Sequence, residues 1–190
     1  TATVTNTFVP GSLQVTKVIN ISAVGTVTIP TFSITITGPS YPTGDTKTIS
    51  VNGTLTWTGL IPGDYTITEA DAGTSWTETV PAGPVTVVAG QQATATVTNT
   101  FVPGSLQVTK VVVLTGYLLP NNVNEIFTII VTGPSYPGGT PLTFHVVNGL
   151  LTDSPQTLNN LIPGPYTVVE TTPVDGMWTV AGGGGVNVVS

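Results

Sequence analysis

The chain has 190 residues, enough for one large or two small domains, and 39% of them are hydrophobic, enough to build real cores. Only 6% are charged, three basic against nine acidic, which leaves a formal net charge of -6 at pH 7. No basic stripe can neutralise phosphates, so nucleic acid is excluded as a partner, an anionic membrane surface would repel the chain, and no apolar run approaches the roughly 20 residues that span a bilayer.

Threonine makes up about one residue in five, so hydroxyls rather than charges must solvate the surface. With 22 Gly, 16 Pro and no helical apolar periodicity, the pattern predicts an all-β protein rich in turns. Cysteine is absent, so disulfides contribute nothing. The chain starts at Thr rather than Met and reads as a processed segment or an excerpt, with an extracellular, cell-surface setting suggested by its Thr-rich, Lys-poor composition.

In chain order, residues 1–8 read as a short strand, followed by a Val-Pro connector. Strands are then expected at 12–19, 31–37, 46–51, 54–58, 64–70, 85–88 and 94–101, separated by Gly, Pro, Asn or Asp turns. Seven such segments have the count and spacing of a small β-sandwich. Residues 1–17, TATVTNTFVPGSLQVTK, then return unchanged as residues 94–110, so the chain is a repeat array. Thr1 and Thr94 differ by 93 positions, Phe32 and Phe127 by 95, Leu60 and Leu161 by 101. Insertions in turns absorb the difference, notably the longer 116–125 stretch.

The expected domains are therefore a sandwich over 11–101 and a second over 104–190, each preceded by the same connector. The second lacks a copy of strand 94–101, while residues 1–8 are a copy of it with no domain before them. A sandwich short of a strand exposes apolar core and unpaired backbone. The expectation is that residues 1–8 of another copy fill the groove by strand addition.

Strand alternation sets Lys17 on the inward face with Leu13, Val15 and Ile19. The same parity turns Glu69 inward after Tyr65 and Ile67, and Asn99 inward between Val97 and Phe101. Repeat 2 offers Lys110 and Glu170, and Asn6 stands at the matching place in the series Ala2, Val4, Asn6, Phe8. One such residue reads as a snorkelling or paired side chain, but two of only three basic residues occupy this one position. Burying a Lys and a Glu is costly unless they neutralise each other or react.

The opening GSLQVTK strand, the YTITEA and YTVVETTPVDGMW segments and the closing TVTNTF strand together resemble the Cna protein B-type (CnaB-like) domains of bacterial surface adhesins and pilins, across both repeats. The resemblance implies two tandem Ig-like or transthyretin-like β-sandwiches. It also implies a spontaneous isopeptide bond from Lys17 to Asn99 promoted by Glu69, and the use of Glu170 by Lys110, for which the copied strand makes a donated Asn6 the expected partner. No sortase LPxTG signal or pilin-type lysine motif accompanies it.

Other signals are weaker. His145, the only histidine, has no Cys or carboxylate cluster in sequence to suggest a metal. The Gly182 to Gly185 run lacks the helix and Lys of a phosphate loop. Trp57, Trp76, Trp178 and the two GPSYP segments could make a sugar platform or simply pack. Asn20-Ile21-Ser22 and Asn52-Gly53-Thr54 match the N-glycosylation pattern, which arises often by chance. No catalytic constellation is present, so an enzyme is not expected, and no cofactor or metal is implied. The leading expectation is a structural subunit of an extracellular filament, a homopolymer joined head to tail. A stalk segment of a long tandem-repeat adhesin and a carbohydrate-binding module with a host or glycan ligand are the rivals.

Overall fold

A computed structural model describes residues 1–115, 122–171 and 177–190. Most of the long turn at 116–125 and residues 172–176 of the YTVVETTPVDGMW segment lie outside the described residues. The protein is all-β, with no α-helix among the described residues. It divides into two compact units, 1–21 with 28–102 and 22–27 with 103–190.

Unit 1 holds β1 (Gly11–Asn20), β2 (Phe32–Gly38), β3 (Tyr41–Ile49), β4 (Gly53–Leu60), β5 (Gly63–Glu69), β6 (Trp76–Thr79), β7 (Val85–Val87) and β8 (Gln92–Phe101). One sheet runs β4-β1-β8-β6 and the other β3-β2-β5-β7. Alternation along each strand sends one side chain in two to a shared core, Leu13, Val15, Trp57, Leu60 and Val97 from the first sheet against Ile34, Ile36, Tyr65, Ile67 and Val87 from the second. The first and last strands lie side by side in parallel, from Ser12 opposite Gln92 to Asn20 opposite Thr100.

Eight strands stand where alternation predicts seven. The extra one, β6, pairs with β8 on the open edge, Trp76 opposite Phe101 and Glu78 opposite Asn99. Residues 1–10 are exposed and belong to no strand.

Unit 2 repeats this plan with β9 (Gly104–Val108), β10 (Glu125–Gly133), β11 (Tyr136–Val147), β12 (Leu150–Leu151), β13 (Gln156–Leu161), β14 (Gly164–Thr171) and β15 (Gly184–Val188). Its larger sheet runs β12-β11-β10-β14-β15, and its smaller one is the pair β13-β9. Where β1 has a neighbour on each side, β9 pairs only with β13 among the described residues. Its inward residues are correspondingly less covered. Leu106 and Val108 are 8% and 6% exposed, whereas Leu13 and Val15 are 0%. Residues 22–27 join this unit through a parallel bridge from Val24 to Leu161.

The GPSYP segments have a structural account in both units. Tyr65 Oη accepts from Ser40 N and donates to the Ser40 hydroxyl or the Ile61 carbonyl, and Tyr166 does the same with Ser135 and Ile162. Gly38 lies flat under the Tyr65 ring, where a Cβ would come within 2.6 Å of Cδ1. Gly63, at φ 147, meets Pro39 so closely that a Cβ would sit 2.8 Å from its Cγ.

Candidate functional site

The site in unit 1 spans the gap between the two sheets. Lys17 and Asn99 come from neighbouring strands of the first sheet, β1 and β8, with Asn99 opposite Ile19 and so one inward step beyond Lys17. Glu69 ends β5 in the facing sheet, opposite Ile34 of β2. Both Lys17 and Glu69 side chains are 0% exposed and Asn99 is equally buried, so three polar groups meet out of reach of bulk solvent. Lys17 Nζ donates to Glu69 Oε1 at 2.7 Å and to Asn99 Oδ1.

Two buried atoms of this cluster have no hydrogen-bond partner among the described residues, Glu69 Oε2 and Asn99 Nδ2. Such orphans cost about 1–3 kcal/mol each and are rare in a finished core. Here they are the second oxygen of a carboxyl and the nitrogen that an amide would lose on acyl transfer. Burial pushes the Lys17 amine below the usual lysine value, against the raising influence of the Glu69 hydrogen bond and charge and of the Glu78 charge. A lowered value enlarges the fraction of neutral, nucleophilic amine.

Aromatic rings close the cluster, a feature that parity did not disclose. The Phe32 ring lies under Lys17 with its centroid 4.0 Å from Nζ. Trp76 meets Phe32 edge-on at 5.5 Å and Phe101 at 5.2 Å, packing between the first ring and the end of the last strand. The sequence held a signal for this, since Phe127 and Trp178 recur in repeat 2 and also pack edge-on, at 5.0 Å.

In unit 2, Lys110 Nζ donates to both oxygens of Glu170 at 2.8 Å and stands 4.2 Å from the Phe127 centroid. The pair is less covered, at 13% and 8% exposed. Asn6 is exposed, belongs to no strand and is not part of this cluster. A cavity of about 480 Å³ opens at the start of β9 and the end of β15, lined by Gly104, Ser105, Asn160 and Val188 among others.

Trp57 is buried with its indole N–H donating to Asp45, so it offers no platform to a sugar. His145 pairs with Asp153 at 2.6 Å, and among the described residues no group of three or more His, Cys, Asp or Glu could hold a metal ion.

No curated protein matches the sequence. A family model described as a domain of unknown function (DUF5979) matches residues 13–102. Among solved structures the chain is similar to the Bacillus anthracis TIE protein, at a TM-score of 0.54 and 21% identity, over 95% of this chain and 32% of that one. It thus spans about a third of that protein's length, and the likeness is one of fold. The major pilin from Streptococcus pyogenes aligns at a TM-score of 0.45 and 17% identity, over 85% of this chain and 82% of that one. The shaft pilin from Lactobacillus rhamnosus GG aligns at 0.38 and 15%, over 95% of each.

Proposed function

We propose that the protein is a structural subunit of an extracellular, cell-surface filament, built from two CnaB-like sandwiches and hardened by autocatalytic isopeptide bonds. The observation that carries this reading is the buried meeting of Lys17, Glu69 and Asn99, with an orphaned amide nitrogen and an orphaned carboxyl oxygen. The neutral Lys17 amine attacks the Asn99 side-chain carbon. Glu69, hydrogen-bonded to that amine, takes its proton and passes it to the departing nitrogen, which leaves as ammonia. One bond forms and one breaks in a single turnover, so the chain is its own substrate and not an enzyme.

Polymerisation follows in this reading from the open edge of β9. Residues 1–8 of one copy, identical to 94–101, lie beside β9 of the next in the parallel register of β8 on β1, with Val4 and Asn6 entering as Val97 and Asn99 do. Val4 and Phe8, at 89% and 63% exposed, are the apolar side chains this would bury. Asn6 then stands beside Lys110 and Glu170, and the junction becomes covalent by the same chemistry. A stalk segment of a longer repeat protein is the second reading, favoured by the exact return of residues 1–17, because strand 1–8 would then close a preceding repeat.

Intact mass under denaturing conditions and gel electrophoresis after boiling in detergent test both parts. The filament reading expects the loss of one ammonia within each chain and a ladder of boiling-resistant polymers. Deleting residues 1–8 abolishes fibres, and Asn6→Ala yields fibres that dissociate on heating. Fibres that form unchanged without residues 1–8 would falsify the donated strand, and a monomer that stays monomeric with its ammonia lost favours the stalk.

A further inference from the structure

Lys110 stands past the end of its strand. β9 closes at Val108, opposite Gln156 of β13, whereas Lys17 is held within β1 opposite Gly53 of β4 and Val97 of β8. A residue beyond a ladder has both backbone polar groups to satisfy and a freer φ/ψ pair. One side chain answers both needs. Ser154 Oγ accepts from Lys110 N at 2.9 Å and donates to Lys110 O at 3.0 Å.

Ser154 lies in a stretch that is longer in repeat 2 than in repeat 1. The repeat offset is 95 from Phe32 to Phe127 and 101 from Leu60 to Leu161, so extra residues enter between β10 and the end of β13. They fall in the stretch that holds the hairpin of β11 with the two-residue β12 and the 152–155 loop that follows. That loop is moored to β11 on its other side. His145 N donates to Asp153 Oδ1 at 2.8 Å, His145 Nδ1 lies 2.6 Å from Asp153 Oδ2, and Thr152 N donates to His145 O at 3.1 Å. Both carboxylate oxygens thus engage one residue, which fixes the loop by geometry even though the pair is too exposed to add much energy.

We propose that Ser154 is a positioning residue for Lys110: the 152–155 loop, moored on His145, clamps the Lys110 backbone so that its amine stands over Glu170 on the open edge of β9 before a partner strand arrives. This rests on the reading of unit 2 as the acceptor of an asparagine-bearing strand. Unit 1 needs no such clamp, because β4 and β8 already flank Lys17. In unit 2 β9 has only β13 beside it among the described residues, and β13 begins only at Gln156. The coupling itself joins Lys110 Nζ to the asparagine side-chain carbon, breaks the amide C–N bond and releases ammonia, with Glu170 passing the proton. Holding the amine in advance lowers the entropy lost on the way to that step without changing what the strand binds to.

The test uses the full chain carrying Asn6→Ala, at nanomolar concentration, with excess octapeptide TATVTNTF as probe and intact mass as readout. The rate of adduct formation at saturating peptide and the peptide concentration for half-maximal rate are measured with and without Ser154→Ala. The saturating rate is expected to fall by about tenfold or more, within the ~10²-fold that a 1 Å misplacement can cost, while the half-saturating concentration changes by less than about twofold. Ser154→Thr, which keeps the hydroxyl, restores most of the rate. Ser154→Ala coupling as fast as its parent overturns the clamp and leaves the acceptor reading standing, and so does a loss confined to peptide affinity. No adduct in the parent overturns the acceptor reading and the positioning role with it. If Ser154→Ala unfolds unit 2, Asp153→Ala at the exposed mooring takes its place, and an unchanged saturating rate there overturns the proposal.

Discussion

Replacing Asn99 with Ala removes the acceptor of the proposed unit 1 bond and leaves Lys17 facing Glu69. The bond closes a loop across 82 positions, and on the chain-entropy relation for cross-links that stabilises the fold by about 4.5 kcal/mol at 25 °C. The buried hydrogen bond lost from Asn99 contributes about 1 kcal/mol more. Each kcal/mol moves the midpoint of a domain of this size by roughly 4–8 °C, so the unit 1 transition of Asn99→Ala is expected to fall by roughly 20 °C or more in calorimetry. The parent should weigh one ammonia less than its sequence and the variant should not show this unit 1 loss. Lys17→Met loses the same bond, so adding Asn99→Ala to it costs only about 1 kcal/mol, and the coupling energy of the cycle isolates the cross-link. A parent with its full sequence mass, or midpoints that agree within about 5 °C, refutes the reasoning.

Three further outcomes are expected. In the Asn99→Ala chain Lys17 stays unreacted with its folded value below 10.5, so between that lowered value and 10.5 the unfolded state binds more protons and stability rises with pH; urea unfolding that is flat or falling across this window contradicts the burial argument. Tyr65→Phe strips the hydroxyl shared by Ser40 and Ile61 and should destabilise unit 1 by about 1–3 kcal/mol, with Tyr166→Phe doing the same to unit 2, read from denaturant midpoints. Gly38→Ala drives a methyl to 2.6 Å from the Tyr65 ring and should cost about 1–3 kcal/mol, whereas Gly83→Ala, with nothing within 4 Å, should cost less than about 0.5 kcal/mol in the same assay.

Period-two alternation made β1, β2, β5 and β8 readable, because each carries apolar side chains at every second position over a buried face. β6 escaped it. In Trp-Thr-Glu-Thr only Trp76 is apolar, and the strand exists by pairing with β8 rather than by its own pattern. The start of β3 escaped for the opposite reason, since Pro42 and Gly44 look like a turn but are tolerated on the exposed edge strand. At the site, parity alone turned Lys17, Glu69 and Asn99 to the inside. It could not say that Glu69 comes from the opposing sheet, that Phe32 lies beneath the amine, or that Ser154 holds Lys110, because such neighbours are set by packing across many residues. Asn6 has the same parity as Asn99, yet parity acquires meaning only when a strand has a partner, and residues 1–8 form no strand here.

The parallel placement of β1 against β8 decides how unit 1 responds to being stretched. Chain enters at the start of β1 and leaves at the end of β8, so tension between those ends slides the two strands past one another and loads their hydrogen bonds together instead of peeling them in turn. If the proposed bond joins Lys17 to Asn99, the load passes from residues 11–17 through two side chains into residues 99–101, and the intervening 18–98 carry none of it. Paid out at about 3.5 Å per residue, that bypassed stretch would lengthen the molecule by roughly 280 Å. A unit so wired can lose its fold under tension and still keep its length.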